Sequence, residues 1–458
     1  MQLRNDVELL ARYELITGPV GTWPMSWKQI TRNLYRADEM DLPAYVRSAL
    51  MRVQQKVPGQ WAGKVRLQAS TEPEIIRGFD STARNDLDVS AAVQYNGEST
   101  TVNIAGGYRN GNGEDYGHLD GSYIAQELGN WQLYAGAIDR WWGPGREGTL
   151  LLSNNARPMP SIGLMRSEPQ PFQTKWLSWM GPWQLRLFVA KMEEVRHVPD
   201  ALIAGISWTF EPIENWEIGL RRTIQLCGDG RPCDAETWAK ALIGGGDVDN
   251  SGTLEEPGNQ LASVDMAYSF GIGKDATLKL YAEGTAEDEA GKLFLPKRFA
   301  RLLGATAYGP WGEDGAQWRL TGEYTDTTSA EYWLFGQRIE NVIYEHTIYH
   351  SGYRYKGRSL GHSVESDGKL LSLAATYIDK EGWAYDAKFY HADINRDSSE
   401  TVLLSLQNQK VNIFELAVSG RLFLGDISVA ARYADRSFES FGSDKRKVSV
   451  EGSWVFNF

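Results

Sequence analysis

From Trp61 to Phe458 apolar and polar residues alternate with a period of two. In the segment from Trp216, one side carries Trp216, Ile218, Leu220, Ile224 and Leu226. The other carries Glu217, Gly219, Arg221, Thr223 and Gln225. The segments from Trp318, Trp383 and Ile427 repeat the pattern. Successive side chains of an extended strand point to opposite sides, so each segment has one apolar and one polar face. A chain patterned this way over most of its length folds as a sandwich or as a barrel.

Three features favour a membrane barrel. Short and long connections take turns. The short ones are Asn96-Gly97, Gly129-Asn130, 212–215, 271–275, 309–315, 379–382 and Gly425-Asp426. The long ones are 110–119, 140–160, 227–259, 285–298, 326–366 and 393–409. Short turns at one end and long loops at the other are the outer-membrane pattern. One connection, near 169–181, is longer than its fellows at the short end. Trp131, Trp183, Trp216, Trp318 and Trp383 all fall just past a short connection, as an aromatic girdle at a membrane interface would place them. The final segment, Val448, Val450, Gly452, Trp454, Phe456 and Phe458, alternates to its last residue. Such a strand is expected to be the one handed to the barrel-assembly machinery. Counting segments predicts about 18 antiparallel strands, an even number that leaves both termini on the periplasmic side.

Composition agrees. Mean hydropathy is −0.41, and no stretch approaches the roughly 18 apolar residues of a membrane-spanning helix. A barrel escapes that constraint because only alternate residues meet lipid. The formal net charge of −12 excludes nucleic acid as a partner but not a local basic patch for a polyanion. No secretion signal stands at the start, and a barrel must cross the inner membrane, so a removed or unrecorded signal is expected. Cys227 and Cys233, in a Gly/Pro-rich run, suit a small disulfide in an oxidising compartment and not a zinc site.

Residues 1–59 read differently. Val7, Leu10 and Glu14 fit a first helix. Ser26 with Gln29 forms a capping box for a second, and Asp41-Leu42-Pro43 opens a third with Val46, Ala49, Leu50, Val53 and Val57 on one face. The expectation is a periplasmic helical bundle, 1–59, plugging a barrel made by residues 60–458. The inward faces carry Glu217, Arg221, Lys279, Glu283, Arg319, Glu323, Asp386, Lys388 and Arg432, which suggests a water-filled lumen or one crossed by ion pairs.

Several motifs go beyond architecture. Asp139-Arg140-Trp141-Trp142-Gly143-Pro144-Gly145 is followed by Leu151-Leu152-Ser153-Asn154-Asn155-Ala156-Arg157-Pro158. With them go Leu3-Arg4-Asn5-Asp6, Thr22-Trp23-Pro24, Pro257-Gly258-Asn259-Gln260 and the run from Tyr349 to His362. Together they resemble the Wzi-type capsule assembly proteins across nearly the whole chain. The resemblance implies an 18-stranded outer-membrane barrel, a helical bundle closing its periplasmic end, and lectin-like attachment of capsular or related exopolysaccharide outside the cell.

Two loops carry residues suited to sugars, which are bound by aromatic faces and by amide or guanidinium groups. One holds Arg140, Trp141, Trp142, Arg146, Asn154, Asn155 and Arg157. The other holds His350, Tyr353, Arg354, Tyr355 and Arg358, a local positive patch for uronic acids. The same residues also suit bracing of the loops inside the barrel, and both readings stay open. Asp247, Asp249 and Ser251 resemble half of a calcium loop, but its twelfth position is Gly258 where a bidentate Glu belongs; a solvated acidic turn is the simpler reading. His362-Ser363 raises a barrel hydrolase, yet no third catalytic member is apparent. Three functions therefore compete: a monomeric surface polysaccharide-binding protein set in outer-membrane lipid, a sugar-conducting porin, and a hydrolase. No cofactor and no enzymatic activity are expected. The N-terminal helices favour the first, because a porin is not served by a domain across its mouth.

Overall fold

The computed structural model describes residues 2–80, 83–111, 114–243, 258–287, 298–331, 337–436, 439–440, 443–444 and 447–458. Its main body is a closed barrel of 18 strands in which every neighbouring pair is antiparallel. In chain order the strands are β1 (Trp61–Ser70), β2 (Leu87–Asn96), β3 (Thr100–Gly111), β4 (Glu114–His118, resuming at Tyr123–Leu128), β5 (Trp131–Ala137) and β6 (Pro160–Arg166). Then come β7 (Trp183–Lys191), β8 (Leu202–Ile213), β9 (Trp216–Leu226), β10 (Gly258–Ile272), β11 (Ala276–Glu287) and β12 (Arg298–Pro310). The last are β13 (Gln317–Glu331), β14 (Lys369–Ile378), β15 (Ala384–Ile394), β16 (Gln409–Leu422), β17 (Gly425–Ala434) and β18 (Val448–Asn457). The ring closes where β18 pairs with β1, from Lys64 opposite Asn457 to Ser70 opposite Glu451.

Closure removes every sheet edge, and the period-2 pattern then turns the usual core inside out. Ile104, Ile162, Leu320 and Leu416 stay exposed on the outer wall, while Arg221, Lys279, Glu283 and Glu323 are buried within. No described helix is long and apolar enough to cross a membrane. The girdle tryptophans all share the outward parity of their strands. The expected loop at 110–119 is instead mostly strand: β3 runs to Gly111 and pairs with β4 from Gly107 opposite His118. The stretch is polar and Gly-rich, so the apolar half of the period-2 pattern that marks the other strands is missing there.

Three helices precede the barrel: α1 (Gln2–Arg12), α2 (Trp27–Thr31) and α3 (Ala44–Lys56). Their apolar faces, Val7, Leu10, Ile30, Val46, Ala49 and Val53, form one cluster that reaches Tyr308 on the barrel wall. Ser26 caps α2 by accepting from Lys28 N (3.2 Å). The capping box is only half formed, because Gln29 does not reach back; it donates to the carbonyls of Thr17 (3.2 Å) and Pro19 (3.0 Å) and holds the preceding loop. Val57 leaves the helical face after α3 ends at Lys56 and is exposed.

The helices touch the short-turn end around most of its circumference. Tyr45 donates to the Asp275 carbonyl (3.1 Å), Gln2 to that of Gly382 (2.6 Å), and Gly21 N to Glu217 (3.0 Å). Lys28 pairs with Glu127 and Arg32 with Glu168. The pair Thr22–Trp23 forms a two-stranded ladder with Trp141–Trp142, so the segment between α1 and α2 meets the long connection between β5 and β6 inside the ring.

Candidate functional site

The loop 138–159, between β5 and β6, folds into the lumen because the wall offers it carboxylates. Glu323 on β13 accepts from the backbone N–H groups of Arg146 (2.5 Å) and Glu147 (2.9 Å) and from the Tyr281 hydroxyl (2.6 Å). Glu283 on β11 accepts from Leu150 N (3.0 Å), Leu151 N (3.2 Å) and the Thr149 hydroxyl (3.0 Å). A buried loop exposes peptide donors that water cannot reach, and these two acids satisfy them. Glu147 is held in turn by Lys388 (3.4 Å) and the Tyr390 hydroxyl (2.7 Å).

From the other end, α1 reaches the same loop. Glu8 accepts from Arg146 (2.7 Å) and Arg319 (3.0 Å), lies 3.3 Å from Lys279, and is bonded to Arg4 at 3.3 Å. Arg4 donates to the Pro144 carbonyl (2.9 Å) and sits over the Phe79 ring (4.6 Å). Burial alone would raise the Glu8 carboxyl, but Lys279, Arg146, Arg319 and Arg4 hold it well below the usual carboxylate range. Farther round, Arg432 joins Glu415 (2.5 Å), Glu451 (3.0 Å) and Glu74 (3.4 Å). The inward cations Arg221, Lys279, Arg319, Lys388 and Arg432 are thus ion-paired across the barrel or with its contents, while Glu283 and Glu323 are spent on the loop's own donors.

A second inner layer comes from the long connection between β13 and β14. Its Tyr344 hydroxyl bonds the Leu150 carbonyl and accepts from His362 N (3.0 Å). Ser153 N donates to the Leu360 carbonyl (2.7 Å). Tyr349 donates to the Cys227 carbonyl (3.0 Å) and Tyr353 to the Thr223 hydroxyl (2.9 Å). Tyr344, Tyr349, Tyr353, Leu150 and Trp142 belong to one buried apolar cluster.

These contacts decide what each sugar-binding candidate touches. Arg140 is buried, donating to Ser161 (2.6 Å) and the Tyr134 hydroxyl (3.1 Å) with its guanidinium over Phe188 (4.2 Å). Trp141 donates to the Gly145 carbonyl (3.0 Å), and Trp142 packs edge-on against Phe188 (5.3 Å). Asn155 donates to the Ser359 carbonyl (2.9 Å) and Asn154 to that of Phe79 (2.9 Å). Arg157 makes a two-pronged pair with Asp120 (2.9 and 3.1 Å) and covers the Tyr116 ring at 4.6 Å. Arg354 is buried between Glu345 (2.7 Å) and Glu365 (3.3 Å). These residues brace the two loops. Tyr355 is buried beside them, while His350 is exposed and meets the His197 ring edge-on at 4.4 Å.

Arg358 differs. It is partly exposed, and its side chain makes no ion pair or hydrogen bond among the described residues. Burial of part of its guanidinium and the neighbouring Arg84 push its pKa down to about 10, so it stays charged at neutral pH. Arg77 and Arg84 lie in the same electrostatic neighbourhood, with Glu74 and Tyr116. Arg84 spends its donors on Asp139 (3.1 Å) and the Asn154 carbonyl (2.7 Å).

Cys227 and Cys233 form a disulfide. The calcium-loop residues Asp247, Asp249 and Ser251 lie outside the described residues, among which no group of three or more His, Cys, Asp or Glu could hold a metal. His362 and Ser363 do not pair. The Ser363 hydroxyl accepts from Arg77 N (3.2 Å), and His362 accepts from Val364 N (3.2 Å) while burial pushes its pKa down to about 3.

The model of the capsule assembly protein Wzi family matches residues 56–446. The chain belongs to that family. A protein of Klebsiella pneumoniae, described as an uncharacterized 55.8 kDa protein in the cps region, is 31% identical over 401 residues, covering 86% of this chain and 76% of that protein. The solved structure of Wzi from Escherichia coli superposes with a TM-score of 0.86 at 26% identity, covering 100% of this chain and 98% of that one. That protein is described as an outer membrane protein involved in group 1 capsule assembly and as a carbohydrate-binding β-barrel. The present member is accordingly an outer-membrane barrel of the capsule assembly family. Sequence reading missed Glu8, Glu283 and Glu323 as the groups that seat its inner loops. The two wall residues were visible only as inward charges, since nothing local announces which backbone they will meet.

Proposed function

We propose that this Wzi-family barrel holds an acidic capsular or related extracellular polysaccharide on its long-loop face and does not conduct it. In this reading the long loops face outward and both termini are periplasmic. Residues 1–59 act as a plug, and the barrel, closed on itself, works as a monomer inserted through β18. The observation that carries the reading is the meeting of α1 with loop 138–159 inside the lumen, through Glu8 and Arg146 (2.7 Å). A lumen occupied from both ends leaves the outer face as the place for a glycan. The carbohydrate-binding description of the E. coli relative supports the ligand class. On this chain Arg358, partly exposed and with no side-chain ion pair among the described residues, is offered to a uronic acid, with the exposed Lys356 two residues away.

The test is saturable binding of the purified full chain to the host's own extracellular polysaccharide, alongside the same polysaccharide with its carboxyl groups reduced. Binding should weaken strongly both on carboxyl reduction and in Arg358→Ala. Equal binding by Arg358→Ala would remove that residue from the site. Steady conductance in planar bilayers would refute the closed lumen and restore the porin.

A further inference from the structure

Residues 167–182, joining β6 to β7, form the one long connection at the short-turn end among the described residues, and the glycan reading leaves them unused. Between Pro169 and Pro182 the only charged residue is Lys175. Trp176 is 87% exposed and Trp179 60%, with Leu177 between them. Scattered exposed apolar residues need no explanation, but adjoining indoles on one protrusion form a patch that marks a contact.

The position of the patch follows from what it covers. Phe172 stacks on Trp183 (centroids 4.3 Å apart), and Trp179 meets Phe210 edge-on at 5.9 Å. Trp183 shares its side of β7 with Leu185, Leu187 and Val189, and Phe210 shares its side of β8 with Ile206 and Trp208. Both rings therefore belong to the outer wall. Phe210 is nonetheless buried, because Trp179 and Trp208 lie against it. The connection folds back over the outside of the barrel and not across its mouth. Its root is rigid. Asn130 donates to the Glu168 carbonyl (3.0 Å) and accepts from Glu168 N (2.8 Å). Arg166, also outward, lies over the Trp183 ring (3.6 Å) and donates to the Gln170 (3.0 Å) and Trp183 (2.9 Å) carbonyls. Gly181 closes the turn at φ +63°, where a side chain is strained.

We propose that residues 169–181 are an interfacial lipid anchor, an apron that sets Trp176, Leu177 and Trp179 into the headgroup–acyl boundary of the leaflet on the short-turn side. Lipid is the occupant because the patch is continuous with the outer-wall girdle: Trp131 and Trp183 are 6.5 Å apart and Phe172 extends the row. Indoles belong at that depth, and the Lys175 stem can carry its ammonium to a phosphate. The anchor is independent of the glycan reading and requires only that the barrel sit in a bilayer.

The described chain has no free thiol, so an introduced cysteine takes a nitroxide label selectively. Leu177→Cys retains both tryptophans. The labelled full chain in vesicles of phosphatidylethanolamine and phosphatidylglycerol is compared with labels at Ile206→Cys on the outer wall and Glu214→Cys in a short turn. Heat-modifiable migration confirms that each variant is folded. The label at 177 should be accessible to oxygen and shielded from a water-soluble nickel complex, as at 206, and Trp176→Cys should behave alike. Nickel access at 177 equal to that at 214 would overturn the proposal and leave the patch to a soluble partner.

Discussion

Replacing Glu8 by alanine tests whether α1 and the inner loop hold one another. The carboxylate is buried with Arg146, Arg319, Lys279 and Arg4 all within 3.3 Å. Removing it leaves those cations facing each other with no counter-charge from the helix. Breaking a buried pair by deleting one partner costs about 3–5 kcal/mol. At 1.4 kcal/mol per decade, local opening of α1 should rise by about two to three and a half decades. Hydrogen exchange reads this directly: peptides covering residues 2–12 and 143–151 should lose protection together, while barrel-wall peptides such as those of β11 keep theirs. Arg47→Ala, which removes an exposed pair with Asp41, is the control and should change nothing. The sign with pH is also determined. A carboxyl held below its unfolded value contributes stability that is fully present above that value and is lost as pH falls through the folded one. Protection of α1 should therefore be unchanged from neutrality to about pH 5 and fall only in stronger acid. Wild-type exchange at residues 2–12 in Glu8→Ala would refute the claim that this carboxylate joins the two ends.

Other consequences are simpler to check. Burial, helped by Asp397, Glu340 and Glu345, pushes Asp367 up to about 7 against the opposing Asn341 N–H bond. A raised carboxyl stabilises most below its unfolded value and loses that contribution as pH rises through the folded one, so peptides spanning 337–368 should show less protection, relative to the intrinsic amide rates at each pH, at pH 8 than at pH 5, and Asp367→Asn should flatten the difference. The Phe458 ring lies over Gly63 where β18 meets β1, and Gly63 N donates to the Phe458 carbonyl (2.6 Å). Gly63→Val should push the exposed Phe458 ring aside at little cost and leave the melting temperature on heat-modifiability gels close to that of the unaltered chain. Reducing the Cys227–Cys233 disulfide should speed exchange in 227–243, including the short helix α4 (Ala235–Ile243), without moving the barrel's melting temperature.

Much of the fold was legible because its information is local. Period-2 alternation states that a residue is in a strand and which side it faces, whatever the strand's partner. Closure, near 18 strands, the girdle of Trp131, Trp183, Trp216, Trp318 and Trp383, and the inward charges all follow from it. The family motifs added capsule assembly. At 110–119 polar and glycine residues leave no apolar face to read, and strand was read as loop.

The candidate site was legible as a set of residue types and not as a set of roles. Arg354 and Arg358 stand four residues apart in one motif, yet the first is buried between Glu345 and Glu365 and the second is partly exposed without a partner. The tryptophans at 141 and 142 read as sugar platforms and serve as packing; those at 176 and 179 were passed over in a long turn and stand on the outer wall. Loops carry no period, and the partners that set their burial and charge come from elements hundreds of residues away: Glu8 with Arg319, Ser153 with Gly361, Arg77 with Ser363. Sequence alone determined that this chain forms a barrel, since backbone alternation is written residue by residue, and its motifs separately carried the resemblance to the capsule assembly family. Only the tertiary structure decided which charges are spent inside and which remain for a ligand, because desolvation and pairing depend on neighbours that the closed ring brings together.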